Sequence, residues 1–148
     1  MTISGSGVLD LGNLVSTAYS TGTVSIEIGT NAVNGASVTA ASTNSGMTNN
    51  SSTGNVINSL VADGFADSYR FTSVISVASD STAVGFAQTG GLAQEMTTST
   101  PVTVYTSNKP QNLTGVNDVD FYVSAKPNAQ TPAGDYTDIV VVTVTGNF

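Results

Sequence analysis

Between Thr23 and Ile28 the side chains alternate one by one. Val24, Ile26 and Ile28 fall on one side of an extended chain, and Ser25 and Glu27 fall on the other. The same two-residue period recurs over residues 119–125, with Val119, Phe121, Val123 and Ala125 as the inward set, and in Val102-Thr103-Val104 after Pro101. No stretch sustains a period near 3.6. Side chains alternate across a strand but return every three or four residues on a helix, so the pattern predicts strands with one face buried. The alternation is less clean over residues 68–77, where a bulge or a switch between sheets is expected. The most strand-like run is the last one, residues 136–145. There Val140, Val142 and Val144 share one face and Ile139, Val141, Thr143 and Thr145 the other. Apolar character on both faces predicts a central, well-covered strand.

Turn chemistry separates these runs: Asn34-Gly35, Asn44-Ser45-Gly46, Gly90-Gly91 and Pro132-Ala133-Gly134-Asp135. Residues 42–55 are almost wholly small and polar and read as a long exposed loop. Residues 55–62 fit a short helix or a short strand equally. Eight or nine strands at intervals of roughly 8–12 residues predict an all-β chain: a single immunoglobulin-like or jelly-roll β-sandwich over residues 1–148.

Composition narrows the function. Only 9% of residues are charged while 39% are hydrophobic, which excludes a disordered chain. Ten acids stand against three bases, Arg70, Lys109 and Lys126, giving a net charge of −7. So few cations cannot neutralise a row of phosphates, so no nucleic acid is expected as partner. No apolar run reaches the ~18 residues of a membrane-spanning helix. The first base is Arg70, so no basic leader is visible, and the Ser, Thr, Asn and Gly content predicts a mature extracellular or cell-surface chain. Without Cys or His there is no disulfide, zinc site, thiol nucleophile or imidazole base.

Little chemistry remains for an active site. The nearest carboxylate pairs are Asp118 with Asp120 and Asp135 with Asp138, and solubilising acids at strand edges explain both. Asn117-Asp118-Val119-Asp120 and the Asp63/Asp67 loop offer oxygen ligands suited to calcium, but neither forms a calcium-loop motif. The expectation is therefore a protein that is not an enzyme and carries no cofactor. Asn49, Asn50 and Asn112 each head an N-glycosylation sequon and are candidate glycan sites. A Lys–Asn isopeptide bond would need Lys109 or Lys126 beside an Asn and a buried acid such as Glu27 or Glu95.

Residues 130–145, Gln-Thr-Pro-Ala-Gly-Asp-Tyr-Thr-Asp-Ile-Val-Val-Val-Thr-Val-Thr, resemble the closing motif of the spore coat U and Csu-type pilin family. That family tends to end on Pro-Ala-Gly-X-Tyr-X-Asp and alternating Val and Thr. The opening Leu9-Asp10-Leu11-Gly12-Asn13-Leu14, followed by the strand-like residues 20–35, is similar to the start of the TasA and camelysin-like biofilm fibre proteins. The resemblance implies a secreted immunoglobulin-like sandwich that builds surface fibres by donor-strand exchange. The chain departs from the Csu-type pattern in having no Cys where those subunits usually carry a disulfide.

Residues 1–14, read in steps of two, give Ile3, Gly5, Gly7, Leu9 and Leu11, the face of a candidate donor strand. Val140, Val142 and Val144 are the candidate receiving sheet. Head-to-tail contacts of this kind do not close and so build filaments. The sequence thus predicts a homopolymeric structural subunit of an extracellular filament or pilus. The alternative is a carbohydrate-binding or adhesive surface module, using Tyr19, Tyr69, Tyr105, Tyr122 or Tyr136 as stacking platforms. A third reading is a capsid or tail-fibre jelly roll.

Overall fold

The computed structural model describes residues 2–4, 7–52, 54–58, 68–75, 94–95, 101–110 and 119–148. Regular structure among them is entirely β. In chain order the strands are β1 (Thr2–Ser4), β2 (Ser20–Gly29), β3 (Ala36–Ser42), β4 (Gly46–Asn49), β5 (Val56–Asn58) and β6 (Ser68–Ile75). There follow β7 (Gln94–Glu95), β8 (Val102–Thr106), β9 (Val119–Lys126), β10 (Tyr136–Thr137) and β11 (Val140–Gly146). All described pairings are antiparallel.

One sheet has the order β1-β2-β9-β6-β7. Its centre is β9, laddered to β2 from Ser20↔Ala125 to Ile26↔Val119 and to β6 from Ser68↔Lys126 to Ile75↔Val119. A strand flanked on both edges and buried on one face needs strict alternation. β9 supplies it for its apolar residues: Val119, Phe121 and Ala125 are buried and Val123 packs against them, while Ser124 is buried by its bond to Thr21 on the other face. β6 runs along β9 without a register shift. Its irregular sequence has another cause: Tyr69 and Phe71 are buried inward, and Arg70 between them turns outward to lie 3.8 Å from the centre of the Tyr19 ring.

The other two sheets have the orders β11-β3-β8 and β10-β4-β5. They use successive stretches of the same two chain segments. Val140 pairs with Ser42 and Thr137 with Thr48, so residues 43–47 span on one side what residues 138–139 span on the other. The Thr43 amide donates to the Ile139 carbonyl across this break, at 2.9 Å. The bulge lies on β8. Val38 pairs with Tyr105 and Thr39 with Thr103, leaving Val104 as the extra residue, and both Val104 and Tyr105 are fully buried.

The Asn34-Gly35 turn leads the chain from β2 to β3. Gly35 has φ of +78°, and a Cβ there would sit 2.3 Å from the Ser107 carbonyl oxygen. Ser107 pins the turn, its Oγ accepting from the Ala36 amide at 2.9 Å. Residues from all three sheets meet in one apolar cluster, among them Ile28, Val38, Ile57, Phe71 and Phe121.

Two expectations are corrected. Residues 42–55 are not one exposed loop: β4 lies within them, with Met47 and Asn49 buried. β11 is an edge strand among the described residues, where a central one was expected. Among the described residues it pairs only with β3, so its other edge carries no ladder, and Ile139 and Val141 are 66% and 49% exposed. Its valine face alone is turned to the core. Residues 56–58 of the ambiguous stretch are strand, and residues 59–62 lie outside the described ones.

Candidate functional site

A cavity of about 430 Å³ is lined by strands of all three sheets. Val24 and Ile26 of β2, Phe71 of β6 and Phe121 of β9 line it from one side, and Met47, Val140 and Val142 from the other. Residues 7–9 and Leu11 form part of its wall. Leu9 and Leu11 sit over Gly22 in β2, where a Cβ would be 2.6 Å from Leu9 Cδ1 and 3.1 Å from Leu11 Cδ2. A glycine inside a strand marks such close approaches. Here it makes the notch that seats the N-terminal segment.

The candidate donor face is therefore divided. Ile3 lies in β1, which ladders along β2 with Ile3 opposite Ile28. The N-terminal strand thus adds to the sheet of β2 in its own chain and not to β11. Leu9 and Leu11 share the cavity with Val140 and Val142 of the same chain. Val144 packs against the core without lining the cavity. A Cβ at Gly7 would meet nothing within 4 Å, and Gly5 lies outside the described residues. Val8 is 82% exposed.

Asp138 lines the same cavity at the break between β10 and β11. Both carboxylate oxygens are closed off from solvent and have no partner at hydrogen-bonding geometry. Burial raises its pKa above the ordinary carboxylate value. Ser42, the Tyr69 hydroxyl and the amides of Ile139 and Asn44 lie close enough to offset part of that rise. Burial, and then the neighbouring Asp138 charge, push the Tyr69 hydroxyl far above its usual range, so it stays protonated. Asp135, the other half of the carboxylate pair, is exposed. The signal for Asp138 was a lone acid amid strand residues, on the same alternation as Val140 and Val142.

The Pro-Ala-Gly-Asp-Tyr motif forms a corner. The Tyr136 hydroxyl donates to the Pro132 carbonyl, four residues upstream, at 2.8 Å. Gly134 allows Asn49 to approach, since a Cβ there would lie 2.4 Å from Asn49 Nδ2. Asn49 Oδ1 accepts from the Ser51 and Ser52 amides at 2.8 and 3.1 Å. Asn49 is thus sealed under the corner, with its side-chain amide nitrogen closed to solvent. Asn50 is exposed, its Oδ1 accepting from Thr137 Oγ1 at 2.7 Å, and Asn112 lies outside the described residues.

The remaining candidates disperse. Asp120 accepts from Ser25 Oγ at 2.5 Å, while Asp63, Asp67, Asn117 and Asp118 lie outside the described residues. Among the described residues no three acids gather as metal ligands would. Two of the three cations converge on one ring, Lys126 Nζ lying 5.1 Å and the Arg70 guanidinium 3.8 Å from the centre of Tyr19. Of the five tyrosines, Tyr69 and Tyr105 are buried, Tyr136 is tied to the corner and Tyr19 carries the Arg70 and Lys126 contacts, leaving Tyr122 half-buried on the outward face of β9. No family model, no curated protein and no solved structure matches the chain.

Proposed function

We propose that the chain is a structural, non-enzymatic subunit of an extracellular filament or pilus, and that its N-terminal segment passes from one copy to the next. The reading takes the chain as one immunoglobulin-like β-sandwich. The Tyr136 corner supports that type, because a tyrosine hydroxyl bonded back to the backbone a few residues upstream is a mark of such sandwiches. One observation carries the functional reading. Residues 7–11 lie across a groove between β2 and β11, held by the Gly22 notch and by a β1 ladder of three residues, beside a β11 edge with no described neighbour. A short terminal segment of this kind can make the same contacts in another copy, as in domain swapping. The exchange then runs from Ile3, Leu9 and Leu11 of one copy to β2, Val140 and Val142 of the next.

The test uses the absence of native cysteine. Ile3→Cys with Ile28→Cys places a pair at facing register positions. Oxidised as a monomer, this variant is expected to form no filaments in negative-stain electron microscopy, and reduction is expected to restore them. Wild-type filaments that persist after removal of residues 1–13 would refute the exchange. Discrete monomers under every condition would refute the filament reading and return attention to glycan binding at Tyr122.

A further inference from the structure

We infer that β11 is the contact edge for a second copy of this chain, and that two β11 strands pair antiparallel about a two-fold axis. Each of the three described sheets has two edge strands, and every one of these but β11 has a feature that limits pairing. β1, β5, β7 and β10 are two or three residues long, and β8 is bulged and follows Pro101. Short, bulged or proline-flanked edges keep other chains from adding to a sheet. β11 has none of these features. It runs seven residues and pairs with β3 over its whole length without a register shift. Residues 139–148 hold no charged side chain and no proline, and all of β11 except Gly146 is valine or threonine, residues that favour strands.

Charge and geometry select the partner. Each copy carries −7, so two copies repel over most of their surface, and β11 offers them a strip without charge. One edge of β11 is taken by β3, so two copies meet through the same edge of the same strand. Two symmetric arrangements do this. A two-fold axis along the strands sets them parallel but turns one sheet over, and the valine row of one copy then falls on the outer side of the other. An axis perpendicular to the sheet sets them antiparallel. It keeps Val140, Val142 and Val144 of both copies on the core side, and Val141, Thr143 and Thr145 of both on the outer side. Only the second arrangement matches the burial along β11. It gives one continuous sheet of order β8-β3-β11-β11-β3-β8. Such a contact is isologous and stops at two copies, unlike the head-to-tail exchange of the N-terminal segment, which it does not require.

The chain has no native cysteine, so single substitutions report the contact. Val141→Cys, Thr143→Cys and Thr145→Cys each put a thiol on the outer row, and Ala129→Cys puts one on an exposed turn as the control. Each full-length variant is oxidised with copper phenanthroline and run on a non-reducing denaturing gel, which counts cross-linked pairs whether or not filaments are present. A yield about fivefold above that of Ala129→Cys is expected, greatest near one point along β11 and falling away from it, because only positions close to the axis bring two thiols within disulfide reach. Equal yields at all three positions would mean parallel strands and overturn the inference. So would yields no higher than the control. Adding Val141→Lys to Thr143→Cys puts a charge on the edge of both copies and is expected to cut the yield about fivefold, and an unchanged yield would also overturn the inference. A cross-link needs only two copies, so its failure leaves the N-terminal exchange standing, and a failure to form filaments leaves this contact standing.

Discussion

At the scale of single residues, Gly22, Tyr136 and Asp138 bear most on the candidate site. Gly22→Val puts carbon where Leu9 and Leu11 now rest. It is expected to cost about 1–3 kcal/mol of stability, in the range of overpacked cores, and to make residues 7–11 accessible to limited proteolysis. Tyr136→Phe removes one hydroxyl that donates at 2.8 Å, and chemical denaturation should record a loss of about 1 kcal/mol. Asp138 acts through pH. Its folded pKa is raised, so the folded chain holds this proton more tightly than the unfolded chain does. Stability is therefore gained at acid pH and lost as pH rises from the unfolded value, near 4, through the raised folded one. Asp138→Asn should flatten that limb of a thermal-melt series and raise the melting temperature at neutral pH. Tyr69, the titratable group facing it, stays protonated throughout. Asp138 could be read as a carboxylate in a strand, but its burial could not, because burial depends on what lies across the groove.

At the scale of elements, alternation carried the reading of β2 and β9. Ile26, Ile28, Val119 and Phe121 are buried where the two-residue period puts them. It failed for β4, whose Gly-Met-Thr-Asn offers one apolar side chain and turns strand only by lying between β10 and β5. It also misplaced β11. Two apolar faces suit a covered strand, yet β11 sits at the edge of its described sheet with Ile139 and Val141 exposed. Sequence periodicity reports which way a side chain points and carries no information on how many neighbours the backbone has. An exposed apolar edge invites pairing with another chain unless charge blocks it. Val141→Lys should leave stability within about 0.5 kcal/mol and sharply reduce filament formation, scored by light scattering and microscopy.

At the scale of the whole molecule, net charge opposes any assembly of identical copies. With −7 on each chain and two of its three cations gathered at Tyr19, subunits repel at low ionic strength. Raising salt from about 10 to 150 mM shortens the screening length from roughly 30 to 8 Å, and the lag before filaments appear should shorten with it. The ladders have a further consequence, one of time. β2 finds its long partner in β9, and β3 finds β11, about a hundred residues away along the chain. Before β9 exists, the one described partner of β2 is the three-residue β1, and β3 has β8 before it has β11. A ribosome adding roughly 5–20 residues per second needs on the order of 5–20 s to go from the end of β3 to the end of β11. Within that interval β4 and β5, then β3 and β8, then β2, β6 and β9 can pair, and the Val/Thr run emerges after them to complete the ladder along β3.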